Sequence, residues 1–324
     1  MRDGVLRGQN GAPQNRFRIP PVPSQTRGVV LKILSTLAFA AMVTLIKLVS
    51  AAIPPGEVLF ARAAFGTLPV LVWLAVRGEL PSGLVTSKPL GHVRRAVVGT
   101  ISMFCWFASL AYLPLPDTTA INYSSPLFGV IFAALILRET VRLYRWSAVA
   151  IGFLGVLIVL SEHVGGFATA GPGQAIGAAF SLASAIFAAL AMVTVRELTR
   201  SEGTGAIVFY FSSAAACFAL FTIPFGWVVP TPAEAAILVT AGLFGGVGQV
   251  LMTEAYRHAE ASVVAPFDYA NMIWIVAISY LVFGDVPSLA VALGSAIVIG
   301  SGIFVMWRER RLGRASAARE AAPR

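Results

Sequence analysis

The chain has 324 residues, of which 57% are apolar and only 12% charged. A soluble domain carries about twice that share of charge, so ionic groups cannot coat a globule of this size. The composition argues against a soluble enzyme, a disordered chain or a disulfide-stapled secreted domain, and for a chain dissolved in lipid. The formal net charge of +9 would point to nucleic acid in a soluble protein; here it raises the question of where the bases sit relative to a membrane.

Residues 1–27 are polar, with Pro13, Pro20, Pro21, Pro23 and five arginines. No early apolar core is followed by a small-residue cleavage site, so this stretch reads as a flexible cytoplasmic tail rather than a signal peptide. From Gly28 onward, long apolar runs alternate with short polar breaks. Ten spans are expected, at 28–50, 56–77, 94–113, 118–138, 144–161, 173–195, 204–228, 233–256, 260–283 and 287–307. Each is near the ~20 residues that cross the hydrocarbon as a helix. The strict alternation of a membrane strand is absent, and backbone groups in lipid must bond within their own segment. The expected fold class is therefore all-α and integral to the membrane, with ten transmembrane helices. Breaks such as Pro54-Pro55-Gly56, Pro114-Leu115-Pro116-Asp117 and Pro230-Thr231-Pro232 leave no room for a soluble domain.

The bases confirm the count. Of 24 Lys and Arg, 21 fall in the two tails and in the breaks after the second, fourth, sixth and eighth spans, counting Arg77, Arg94, Arg95, Arg138 and Arg145, at span ends, with the breaks they adjoin. The other three, Lys32, Lys47 and Arg62, lie within spans, and the opposite breaks carry none. The positive-inside rule then places both termini in the cytoplasm. The charge is a topology signal, and no nucleic-acid partner is expected.

The spans divide into two sets of five that resemble each other. Ala41-Met42-Val43-Thr44 recurs as Ala191-Met192-Val193-Thr194, Ala111-Tyr112 as Ala255-Tyr256, and Glu139 aligns with Asp285, which also brings Tyr123 onto Tyr269. An odd number of spans per repeat inverts the second half relative to the first. Inverted repeats with a site near the midplane are a transporter architecture. No filter loop or ring-forming acid pattern suggests a channel.

The first half carries Glu57-Val58-Leu59-Phe60-Ala61-Arg62, the run from Trp106 through Leu115, Ser125-Pro126-Leu127-Phe128, Arg138-Glu139 and the run from Gly152 through Val156. The second half carries Ala255-Tyr256-Arg257, Ala265-Pro266-Phe267-Asp268-Tyr269 and Phe283-Gly284-Asp285-Val286-Pro287. In these residues, their order and their spacing the chain resembles the drug/metabolite transporter superfamily, EamA type. Asp285 stands where the family usually has Glu. The Glu57 to Arg62 spacing and the Gly91-His92-Val93-Arg94 loop are similar to the subgroup of S-adenosylmethionine uptake carriers. The resemblance implies two EamA repeats, residues 28–161 and 173–307, followed by a basic cytoplasmic tail at 308–324. It also implies secondary active transport of a small polar organic metabolite, amino-acid-like or related, driven by a proton or solute gradient. An S-adenosylmethionine-like cargo is the alternative within the class, and a membrane scaffold or lipid-handling enzyme the alternative outside it. For a bacterial chain the membrane would be the inner one. Expected partners are a small-molecule substrate, membrane lipid and a second copy in a homodimer.

Ionisable groups within spans are costly and are functional candidates. Asp268 leads them, about eight residues into the ninth span, or roughly 12 Å deep. Pro266 precedes it and cannot donate a backbone hydrogen bond, so a kink should free carbonyls toward a cavity. An isolated carboxyl there suits a proton carrier or a partner for a substrate amine, or else an acid held by helix-helix hydrogen bonds. Tyr269 and Asn271 follow it. Asn122 and Tyr123 precede Pro126 in the fourth span, either as substrate ligands or as interhelical polar glue. Arg62 suits a substrate carboxylate or a protein acid; Glu57, about 140° away round the helix, does not share its face. Lys47 and Lys32 sit near opposite ends of the first span, where snorkelling accounts for them, though Lys47 remains a site candidate. Gln249 and Glu254 in the eighth span and Trp106 in the third complete the candidates.

Several motifs carry no chemistry. Cys105 and Cys217 lie in apolar runs, and His92, His163 and His258 are scattered, so neither metal nor cofactor is expected. The glycines from Gly242 to Gly248 superficially resemble a phosphate loop, but they lie within a span and suit close helix packing. There is no Walker Gly-Lys-Ser/Thr for ATP.

Overall fold

The computed structural model describes residues 25–135, 143–162, 173–199, 201–259 and 261–320. Proline opens many of the helices, as expected of a residue whose missing N–H costs nothing in the first turn. It stands there in α2 (Pro55–Val76), α3 (Pro89–Leu110), α4 (Leu115–Asn122) and α9 (Pro232–His258). In α9 a capping box adds to it: Glu234 N–H donates to the Thr231 hydroxyl at 3.3 Å and Thr231 N–H to the Glu234 carboxylate at 2.8 Å. The remaining helices are α1 (Gln25–Val49), α5 (Ser125–Leu135), α6 (Leu143–Ser161), α7 (Gln174–Leu198), α8 (Thr204–Leu220), α10 (Ala261–Val264), α11 (Ala270–Phe283) and α12 (Leu289–Glu320). A tight 3₁₀ turn, Ala265–Tyr269, joins α10 to α11.

Seven of these are individually long and apolar enough to span a membrane: α1, α2, α3, α6, α7, α9 and α12. The other three expected spans are short or divided, each for a local reason. The fourth is split at Tyr123-Ser124, because Pro126 removes a backbone donor and its ring clashes with the turn before it. The ninth is split into α10, the 3₁₀ turn and α11 around Pro266; the kink expected there is a break. The seventh ends its α-helix at Leu220 and turns through a short 3₁₀ segment, Ile223–Phe225.

The helices pair in a symmetrical pattern. α1 packs on α9 as α7 packs on α3; α2 packs on α9 as α8 packs on α3; α2 meets α8, α4 meets α11 and α6 meets α12. Glycine sets the closest crossings. A Cβ at Gly246 would overlap the Gly66 carbonyl oxygen, and one at Gly242 would lie 2.9 Å from the Ala61 carbonyl. The glycine-rich run of α9 is thus a packing surface against α2. Gly155 and Gly294 do the same for α6 and α12.

One expectation is corrected here. The third span was expected to start at Arg94, with Gly91-His92-Val93-Arg94 as a loop; α3 starts at Pro89, which puts His92 and Arg95 on its buried face. The basic segment after residue 308 continues α12 as helix through Glu320. The expected tail before Gln25, the bases Arg138, Arg142 and Arg200, Glu139 and His163 lie outside the described residues.

Candidate functional site

The two broken spans meet. Tyr123, at the break between α4 and α5, lies edge-on to Tyr269, the last residue of the 3₁₀ turn, with ring centroids 5.4 Å apart. The Tyr123 hydroxyl donates to the Asp268 carbonyl oxygen at 3.4 Å. That carbonyl belongs to backbone without regular α-helical hydrogen bonding, which lipid tolerates only where protein or a cavity supplies partners. The Tyr269 hydroxyl lies against the Gly302 backbone of α12, where any Cβ would overlap it.

Asp268 is not isolated. Lys32 Nζ stands 2.6 Å from its carboxylate, and Tyr256 bridges the pair, accepting from Lys32 at 3.3 Å and donating to Asp268 at 3.5 Å. The lysine's side chain is 1% exposed and the aspartate's 44%. The ammonium also lies 4.7 Å from the centre of the Tyr256 ring. Lys32 is therefore no snorkelling anchor: it is buried between α1, α9 and the 3₁₀ turn and neutralises the acid beside it. A stripe of polar residues at helical spacing, Lys32, Ser35 and Thr36, all buried, is the sequence signal that would have found it.

Asn122 donates to the Ser184 hydroxyl of α7 at 2.8 Å, and Ser102 of α3 donates to the Ser184 carbonyl at 2.9 Å. Asn122 thus ties α4 to α7. Asn271 presents a buried side-chain oxygen with no hydrogen-bond partner. The indole N–H groups of Trp106 on α3 and Trp274 on α11 are also buried without partners, and both rings pack against one core cluster that includes Met42, Phe107 and Ile275. Each such group costs about 1–3 kcal/mol unless something binds it.

Arg62 and Arg95 are buried charges of like sign that lie close together. They are 4% and 8% exposed, and neither makes an ion pair among the described residues. Arg62 Nε and Arg95 Nε and Nη1 lack hydrogen-bond partners. Their guanidinium carbons lie 5.9 and 3.9 Å from the centre of one ring, Phe211 of α8, so the separation between them is at most the sum of those distances. Glycines make the room: a Cβ at Gly99 would overlap the Arg95 guanidinium, and one at Gly245 would lie 3.1 Å from Arg62 Nε. Gln249, also buried, is one turn beyond Gly245 on the same face of α9. The ring offers about 0.5–2 kcal/mol of cation–π attraction, against several kcal/mol for desolvating each ion. Arginine cannot escape by losing its proton.

The remaining candidates are engaged elsewhere. Lys47 donates to the Leu110 and Leu113 carbonyls at 2.6 and 2.7 Å, closing the open end of α3 rather than snorkelling. Glu254 accepts from Thr204 at 3.2 Å and lies 3.6 Å from Arg257, 3.9 Å from His258 and 4.0 Å from Arg77. Glu57 accepts from the Val228 backbone at 3.1 Å. The residues missed by sequence reasoning are Lys32, Tyr256, Arg95, Phe211 and Ser184. Arg95 was hidden because it sits beside Arg94 at the edge of a basic break.

A bundle of apolar helices with two broken spans meeting over buried polar groups defines a multi-pass membrane protein of the carrier class. Comparison with known proteins makes this specific: the chain belongs to the EamA-like transporter family, whose pattern matches residues 26–161 and 175–307. It is 32% identical over 280 residues to the pseudopaline exporter CntI of Pseudomonas aeruginosa, covering 84% of this chain and 93% of that one. It is 30% identical over 292 residues to a riboflavin transporter of Vibrio cholerae, with coverage of 89% and 95%. It is 27% identical over 255 residues to the S-adenosylmethionine uptake transporter of Rickettsia bellii, with coverage of 79% and 84%. A chain of known crystal structure superposes with a TM-score of 0.63 at 22% identity, covering 89% of this chain and 99% of that one; it attests the fold. The family and these relatives are transporters, not enzymes.

Proposed function

We propose that the protein is a secondary active carrier of a small polar organic metabolite. It works by alternating access of two inverted five-span halves, residues 28–161 and 173–307, with both termini cytoplasmic. The observation that carries this reading is the meeting of the two broken spans at Tyr123 and Tyr269. Discontinuous helices whose loose backbone lines a cavity at a repeat interface are how such carriers build sites. The symmetrical helix pairing and the two matched stretches of the family pattern support the halves. The relatives, which by name carry pseudopaline, riboflavin and S-adenosylmethionine, support an organic metabolite as cargo. Asp268, Tyr269, Asn271, Asn122, Tyr123, Trp106, Gln249 and Arg62 are the candidates for substrate contact or coupling in this reading. Lys47 and Glu254 serve the helix ends instead.

Purified protein in liposomes should accumulate one class of metabolite against an imposed proton or solute gradient. Failure across a broad metabolite panel under every gradient would sink the reading. Proton coupling through Asp268 is tested with the paired Lys32→Gln/Asp268→Asn variant, because Asp268→Asn alone strands the lysine. An unchanged pH dependence of uptake in that variant removes Asp268 as the proton site.

A further inference from the structure

We propose that Arg62 and Arg95, both lying against the Phe211 ring, form an anion subsite that binds a carboxylate of the transported solute. This inference rests on the carrier reading and adds the charge class of the cargo. Two guanidinium groups from α2 and α3 lie over one ring of α8, more than nine-tenths buried, with three N–H groups unpartnered. They also repel each other. Neither arginine has an acid within ion-pair distance among the described residues, and four of the buried or half-buried acids are held by other groups: Glu57 by the Val228 amide, Glu254 by a basic cluster, Asp268 by Lys32 and Glu202 by Ser87. A protein folding for stability alone has no use for this arrangement, since an apolar residue at either place would remove a buried charge. What completes it is an anion from outside the chain.

The form of the donors argues for a carboxylate. A guanidinium presents a planar fork that matches two carboxylate oxygens. The indole N–H groups of Trp106 and Trp274 are further buried donors without partners. Gly99 and Gly245 keep the two arginine side chains free of overlap with the neighbouring backbone, so the cradle is shaped around them. α2 and α3 come from the first matched stretch of the family pattern and α8 and α9 from the second, so a solute bound here touches both halves that alternating access must move.

The test is thermal unfolding of the full chain in detergent at constant ionic strength, a readout of binding that needs no transport. The probes are acetate, malate and citrate, with dimethyl malate and triethyl citrate as neutral counterparts, and chloride and phosphate as inorganic anions. A carboxylate should raise the midpoint saturably, and its ester should not. Arg62→Gln and Arg95→Gln should each weaken that response at least tenfold, while unfolding at a higher temperature than the native chain when no anion is present. That last sign separates a binding role from a structural one, since removing a structural arginine lowers the midpoint. Arg62→Lys keeps the charge without the fork, and should retain only part of the response. The inference is overturned if no carboxylate gives a saturable shift in the native chain, if chloride or phosphate does as well as any carboxylate, or if both glutamine variants respond as the native chain does. Carboxylate binding with no uptake in liposomes would instead overturn the carrier reading and leave the subsite standing.

Discussion

Lys32 and Asp268 form an ion pair at 2.6 Å whose two ends live in different surroundings, the lysine side chain 1% exposed and the aspartate 44%. The pair joins α1 to the 3₁₀ turn of the broken ninth span, with Tyr256 of α9 closing the triangle. Its asymmetry has a measurable consequence. Asp268→Asn leaves a fully buried ammonium without a counter-ion and should destabilise the protein by about 3–5 kcal/mol. Lys32→Met leaves a carboxylate that is not itself buried, 44% exposed, and should cost clearly less. Denaturant unfolding of both variants in micelles checks the order; equal or reversed losses would show that the pair is not as buried at its lysine end as described.

The crossing of α2 and α9 depends on Gly246, where a Cβ would overlap the Gly66 carbonyl and lie 2.9 Å from the Pro69 ring. Backbone cannot give way as a side chain can. Gly246→Val should cost at least about 1–3 kcal/mol through overpacking, whereas Gly300→Ala within α12, where nothing lies within 4 Å, should be close to neutral. Matching losses at the two positions would argue against the close crossing.

Asn122 is bonded to Ser184 at 2.8 Å. A double-mutant cycle of Asn122→Ala and Ser184→Ala should give a coupling of about 0.6–1.7 kcal/mol, as for interhelical hydrogen bonds in other membrane proteins. Zero coupling in stability together with a raised transport KM in Asn122→Ala would move Asn122 from glue to substrate ligand.

At the cytoplasmic face proposed above, Glu202 accepts from the Ser87 amide at 3.0 Å and hydroxyl at 2.8 Å. Burial works against its ionisation, but the Ser87 hydroxyl and amide, with help from Thr86 and His92, outweigh it and hold the carboxyl below the usual range. A carboxyl depressed on folding stabilises above its unfolded pKa of about 4.3 and loses that contribution as pH falls through the folded value. Glu202→Gln should therefore lower the unfolding midpoint at pH 7 and have no effect at pH values below the folded pKa. A constant difference across that range would refute the linkage.

The membrane class, the approximate spans and the gathering of the bases in alternate breaks were legible because each is a property of local composition. A run of about 20 apolar residues must be a helix in lipid wherever its neighbours are, and Pro126 and Pro266 interrupt their helices by removing a donor whatever packs nearby. The role of Gly242 and Gly246 was legible too, since small residues four apart form a smooth face. What could not be read were the pairings across elements. Asp268 looked alone because Lys32 lies at the other end of the sequence, and Arg95 looked like a loop base because only the start of α3 at Pro89 turns it inward. Whether a charge is neutralised depends on which side chains come within a few ångströms of it, and that distance is set by the packing of helices far apart in the chain. The sequence by itself determined a helical bundle with charges at certain depths. Only the tertiary structure decided that one of them, Asp268, has its counter-ion, and that two others, Arg62 and Arg95, lie against one ring, Phe211, with no counter-ion among the described residues.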